Sequence, residues 1–122
     1  MRSRYAAFAV GRGDYLIATL ADEHADRKGD TKAIANELGS AKDRQRFLGL
    51  TIPHTTEDGD HGQVLFYARI FERGQDRSFV ELSTFVKQHG EWRYASGKLV
   101  PASGIPGDPR TLTREQLLAL VT

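Results

Sequence analysis

The chain has 122 residues, with 17 basic and 16 acidic side chains, four histidines and no cysteine. This length fits one domain with one core and room for one pocket. A net charge of +1 gives no field that selects nucleic acid or an anionic membrane, and the lack of cysteine excludes disulfides and thiolate metal sites within it. The absence of thiols fits a reducing compartment. No apolar run approaches the ~20 residues of a membrane span, and the early arginines precede no long apolar stretch of a secretory signal. A cytoplasmic protein is expected, with neither nucleic acid nor membrane as partner.

Residues 2–10 and 14–22 read as two short helices. Met1, Tyr5 and Phe8 share a face of the first, and Gly11 and Gly13 mark the turn between them. Asp14 is placed to cap the second helix, where its carboxylate meets free amides. A charged loop from Asp22 to Asp30 leads to a third helix from Lys32 towards Arg46, with Gly39-Ser40 as a break point. Leu48–Ile52 reads as a short strand stopped by Pro53, and His54–Gly62 as a polar turn.

Three longer strands follow. Gln63–Arg73 and Arg77–Gln88 are separated by Gly74-Gln75-Asp76, and His89-Gly90-Glu91 turns the chain into Trp92–Gly97. Helices first and an antiparallel meander after predict an α+β fold. Pro101, Gly104, Pro106, Gly107 and Pro109 then make an irregular arm, and Thr113-Arg114-Glu115-Gln116 has the capping-box spacing that opens a last helix through Val121. The domain is predicted over residues 1–97, with 98–122 as a Pro/Gly-rich arm and C-terminal helix.

Four stretches together carry a family resemblance. They are Met1–Phe8 with Asp14-Tyr15-Leu16 and Thr19; Phe47-Leu48-Gly49-Leu50-Thr51-Ile52; Gly62 with Val64, Phe66, Ala68 and Arg69; and Glu81, Ser83 and Phe85 followed by Trp92, Tyr94 and Gly97. In order and spacing they resemble the small α+β domain of bacterial YchJ-type proteins, which usually carry a zinc-binding SEC-C motif. The resemblance implies a nuclear-transport-factor-2-like fold: N-terminal helices on a curved antiparallel sheet that encloses a cone-shaped cavity. The SEC-C cysteines have no counterpart here, so zinc binding is not carried over, and no metal or cofactor is expected. Met1 falls where the family has an internal methionine, so the chain starts where the family's zinc segment would already have ended. Around the Glu-Ser hairpin the family tends to have a histidine and arginines, where this chain has Phe79, Val80, Leu82 and Thr84.

Strand alternation sorts the side chains by face. Val64, Phe66, Ala68 and Ile70 form one apolar face, with Leu65, Tyr67 and Phe71 opposite. On the next strand Phe79, Glu81, Ser83 and Phe85 oppose Val80, Leu82, Thr84 and Val86. The family comparison turns the Glu81 face inward, leaving Leu65, Tyr67, Phe71, Val80, Leu82 and Val86 outward. That much apolar surface calls for a cover. The arm and last helix are one candidate; a homodimer joined sheet to sheet is the expected one.

Glu81 is the leading ionisable residue, because a carboxylate on a core face needs a partner or a proton. Arg4 is its expected ion-pair partner, with Arg2 as the alternative, and Ser83 and Tyr94 are its hydrogen-bonding neighbours. Asp14 and Tyr15 are candidates for the cavity mouth, because small enzymes of this superfamily often place an acid and a tyrosine there. Tyr5, Tyr94 and Trp92 are expected core aromatics. His24, His54, His61 and His89 lie in or beside turns, with no pair at metal-ligand spacing. No nucleophile elbow, P-loop or dinucleotide fingerprint is present. The expected function is a non-enzymatic binding or assembly module with an unidentified small-molecule ligand or protein partner. The alternative is a small-molecule enzyme with Glu81 as general base in the cone.

Overall fold

The structure, a computed structural model, describes residues 1–121. Helix α1 (Arg2–Val10) ends at Gly11, whose left-handed φ of 80° no side chain adopts cheaply. Helix α2 (Gly13–Ala18) follows at once and packs on α3 (Thr31–Gly39). Contact there is backbone to backbone: a Cβ on Gly13 would overlap the Ala35 carbonyl, and one on Gly39 would sit 2.8 Å from the Gly11 carbonyl. The Gly11-Arg12-Gly13 run therefore serves close helix packing as well as the turn.

Two helical expectations are corrected, while the break expected at Gly39-Ser40 is where α3 gives way to a 3-10 turn. Helix α2 starts at Gly13, so Asp14 lies inside its first turn and bonds back to Arg12 instead of capping. The same helix stops at Ala18 because Thr19–Ala21 leave it to bond the sheet: the Tyr94 amide donates to the Thr19 carbonyl and the Ala21 amide to the Tyr94 carbonyl, both at 2.8 Å. Helix α3 begins at Thr31, where the Asp30 carboxylate accepts from the Ala33 amide at 3.1 Å, and a 3-10 turn over Ser40–Asp43 ends the helical run ahead of Arg46.

The sheet has β1 (Gln45–Asp58), β2 (His61–Glu72), the two-residue β3 (Gln75–Asp76), β4 (Phe79–Gln88) and β5 (Glu91–Pro101). All pairs are antiparallel in the order β1-β2-β4-β5, with β3 on β2. Strand β1 is far longer than the expected Leu48–Ile52. Pro53 does not stop it, because β1 is an edge strand and its register shifts between Thr51 and His54, where a missing amide costs no ladder bond. A second shift between Phe47 and Gly49 leaves Leu48 exposed and brings Phe47 and Leu50 to the same face. Strand β5 likewise runs four residues beyond Gly97.

The two faces carry separate cores. Inward, Phe66, Ala68 and Ile70 pack with Tyr5, Phe47, Leu50 and Phe79 beneath the helices. Outward, Leu65, Val80 and Leu82 pack beside Val100 of β5 and are buried under Ile105, Leu112 and Leu117. The expected homodimer surface is thus corrected: its centre is sealed by the chain's own arm, with Tyr67 packed at the margin and Phe71 and Val86 only half-buried. Helix α4 (Arg114–Val121) seats that arm. Its capping box forms as the spacing predicts, with Gln116 N–H donating to Thr113 Oγ1 at 3.1 Å and Thr113 N–H to Gln116 Oε1 at 2.9 Å. Arg114 Nε adds a 2.8 Å bond to Gln63 Oε1 on β2.

Candidate functional site

A cavity of about 380 Å³ opens between α1, the Leu20–Asp26 segment and the inner face of the sheet. Tyr5, Phe8, Phe47, Phe66, Phe79 and Tyr94 give it aromatic walls. Tyr5 stands edge-on to Phe47 at 5.6 Å, and its hydroxyl accepts the Gly49 amide at 2.9 Å. Burial raises the Tyr5 hydroxyl pKa, so it stays neutral.

The floor is polar. Glu81 Oε2 accepts from the Tyr94 hydroxyl at 3.0 Å and from Ser83 Oγ, and Ser83 itself is fully buried. Their meeting depends on the strand register: Ser83 faces Gly97, and the ladder slips one residue between Thr84 and Phe85 so that Phe85 faces Tyr94. That slip aims Tyr94 at Glu81. Burial, and then the Glu81 carboxylate, push the Tyr94 hydroxyl far above its ordinary pKa, so it is a fixed donor at neutral pH.

Arg4 does not pair with Glu81. Its guanidinium carbon sits 4.9 Å above the Tyr94 ring, and Nη1 donates to the Leu16 carbonyl at 2.9 Å and to Thr19 Oγ1. The physical reason is that the Leu16 carbonyl, the Thr19 hydroxyl and the Tyr94 ring hold Nη1 and the guanidinium close to its own helix, while two hydroxyls satisfy the carboxylate. Arg2, the alternative partner, is exposed. Arg4, Tyr94, Glu81 and Ser83 are therefore brought together as a relay of contacts without the expected ion pair.

The other candidates separate. Asp14 is exposed, faces the α2–α3 groove and pairs with Arg12, whose hydrogen bond holds its carboxyl below the usual range. It has no place in the cone. Tyr15 lines a second cavity of about 430 Å³ at the mouth, with its hydroxyl donating to Ser3 Oγ at 2.8 Å. Trp92 lines it too, and its expected core position is wrong: the residue is 36% exposed. It shares the inner face with Tyr94 but lies two residues further out, opposite Lys87, where the ring rests over Gly62.

Sequence reasoning missed two features. Arg93 Nη1 bonds Asp22 at 2.7 Å, and His89 Nε2 reaches the same carboxylate at 3.1 Å, clamping the loop after α2 to β5. Neither element's periodicity signals that contact. His24 Nδ1 accepts the Asp26 amide and its ring stands 6.0 Å from Tyr94, on the cone wall. Among the described residues no group of three or more His, Cys, Asp or Glu is arranged to hold a metal ion, and no helix is long and apolar enough to cross a membrane.

The chain and its fold match known relatives. A family model described as the YchJ middle NTF2-like domain matches residues 1–97. The UPF0225 protein YchJ of Shigella dysenteriae is 37% identical over 99 residues, which cover 80% of this chain and 62% of that protein. The chain thus spans less than two thirds of that relative's length. Among solved structures, a SEC-C motif containing protein of Rhodopseudomonas palustris superposes with a TM-score of 0.69 at 33% identity, covering 82% of this chain and 75% of the other. Another, from Psychrobacter arcticus, gives 0.60 at 28% identity over 79% and 56%. Without a cysteine, the residues of this chain do not fit a thiolate zinc centre, and no step is derived through zinc. The chain belongs to the YchJ family, and residues 1–97 are its middle NTF2-like domain.

Proposed function

We propose that this domain is a non-enzymatic, cytoplasmic binding module that holds a small molecule in its aromatic cone. One observation carries the reading. The cone's carboxylate, Glu81, is bound by two hydroxyl donors, and the nearer titratable neighbour, Tyr94, is kept protonated by burial and by that same charge. Such a floor offers a fixed donor and a carboxylate already held by two hydroxyls, which suits orienting a ligand's polar group. Aromatic walls and about 380 Å³ fit a small organic body.

The test is a nuclear magnetic resonance screen of neutral aromatic fragments against the full chain. Saturable shifts confined to Tyr5, Phe79 and Tyr94, with each fragment recovered unchanged, support the module. Chemical conversion of a fragment that disappears in Glu81→Gln would transfer the site to the alternative, an enzyme with Glu81 as general base. Shifts scattered away from the cone would remove the cavity from either account.

A further inference from the structure

We propose that the mouth groove binds a small organic carboxylate, anchored by the Nε and Nη2 donors of Arg4 between aromatic walls supplied by Tyr15 and Trp92. This rests on the binding-module reading and names a ligand class at the mouth of that site.

Arg4 is 6% exposed, yet among the described residues no carboxylate lies within the 4.0 Å of an ion pair. A buried cation without a counter-ion is costly. Among the described residues only Nη1 has protein acceptors, the Leu16 carbonyl and Thr19 Oγ1. The Tyr94 ring takes up a face of the guanidinium and leaves its other edge unbonded. Among the described residues, the side-chain atom sealed without a partner is Arg93 Nε, so the unbonded donors of Arg4 keep contact with open space. Nε and Nη2 form two parallel donors, which match the two oxygens of a carboxylate better than a neutral acceptor does.

Arg4 lines both cavities, and charge chooses between them. The cone side also presents Glu81 and Asp26, which repel an anion; the groove side presents Glu57 alone, exposed at the end of β1. The groove's volume of about 430 Å³ suits a small ligand. Its walls are set: Tyr15 is tied to Ser3, and the Trp92 ring comes within 3.5 Å of the position a side chain would take at Gly62. Trp92 is 36% exposed on the groove wall with Lys87 Nζ 6.0 Å from its ring centroid, so it offers a ligand ring an aromatic edge and a nearby second cation.

Trp92 is the only tryptophan in the chain, so its fluorescence reports on the groove directly. Benzoate is titrated against the full chain, with benzamide as neutral control and inorganic phosphate as a second anion. Saturable quenching by benzoate, and its weakening by about tenfold or more in Arg4→Lys, is the expected result, because lysine keeps the charge and loses the paired donors. Circular dichroism verifies that the variant is folded, and Trp92→Leu, read by amide shifts in place of fluorescence, should also weaken benzoate. Equal binding of benzamide, equal binding by Arg4→Lys, or no saturation by benzoate overturns the proposal. Phosphate binding tighter than benzoate overturns the carboxylate assignment. Neutral fragments bound in the cone with no benzoate response would sink this inference alone; the binding-module reading fails only if the cone too is unresponsive.

Discussion

Gly97 and Glu81 occupy the same space: a methyl group on Gly97 would overlap the Glu81 carboxylate and come within 2.6 Å of the Tyr94 hydroxyl. The glycine is not needed for a turn, since it sits inside β5 opposite Ser83. It is needed for the carboxylate to lie across the strand and meet both of its donors. Gly97→Ala should displace Glu81 and cost about 1–3 kcal/mol. If the loss comes through that contact, Tyr94→Phe and Gly97→Ala should be less than additive by about 0.5 kcal/mol or more in a denaturation cycle. Additive losses would mean that the glycine serves some other constraint.

Tyr94 makes stability depend on pH at the alkaline end. Its hydroxyl pKa is raised in the folded chain, by burial first and by Glu81 second. Between the unfolded value of about 10 and the higher folded value, the unfolded chain releases a proton that the folded chain retains. Stability from this group is therefore complete below about pH 10 and falls as pH rises beyond it. Tyr94→Phe should flatten the decline in melting temperature across that range. Tyr5, raised by burial as well, leaves a residual slope.

Gly13 tests the helical layer. The Ala35 carbonyl lies where its Cβ would go, and that carbonyl is backbone inside α3, which cannot swing aside. Gly13→Ala should cost about 3 kcal/mol. Gly49→Ala is the matched control, because nothing lies within 4 Å of its Cβ position. That variant should change stability by less than about 0.5 kcal/mol in the same urea titration.

Some of this was legible from residue order. Alternation placed Phe66 on the core side and grouped Glu81 with Ser83, a group the family resemblance turned inward, and the Thr113–Gln116 spacing marked the final helix, because these signals are local. The actual partners of Arg4 were not, since which partner a buried charge takes depends on the end of α2, the Tyr94 ring and a slipped register, none of which periodicity records. Trp92 was misplaced for a related reason. It does share the inner face with Tyr94, but how far the helices extend over that face is a tertiary fact. Trp92→Ala should accordingly cost about 1 kcal/mol or less, well below the 3–5 of a core aromatic.

Leu117 is fully buried at the centre of the outer core, against Leu65, Val80 and Leu82. The face that alternation marked as a dimer surface is instead closed by residues 100–121, which bring their own apolar side chains to it. Leu117→Ala should lose about 2–5 kcal/mol, from the removed methyl groups and the cavity they leave. Leu117→Asp should do more: an unpaired carboxylate cannot remain there, so α4 detaches while the Gln63–Arg114 bond is lost with it. The sheet then presents Leu65, Val80 and Leu82 to water, and a bare apolar face of that kind drives association. Light scattering should show the Leu117→Asp chain as larger species at concentrations where Leu120→Asp, an exposed position on the same helix, leaves the mass unchanged. Equal masses for the two variants would mean that the arm does not protect the sheet.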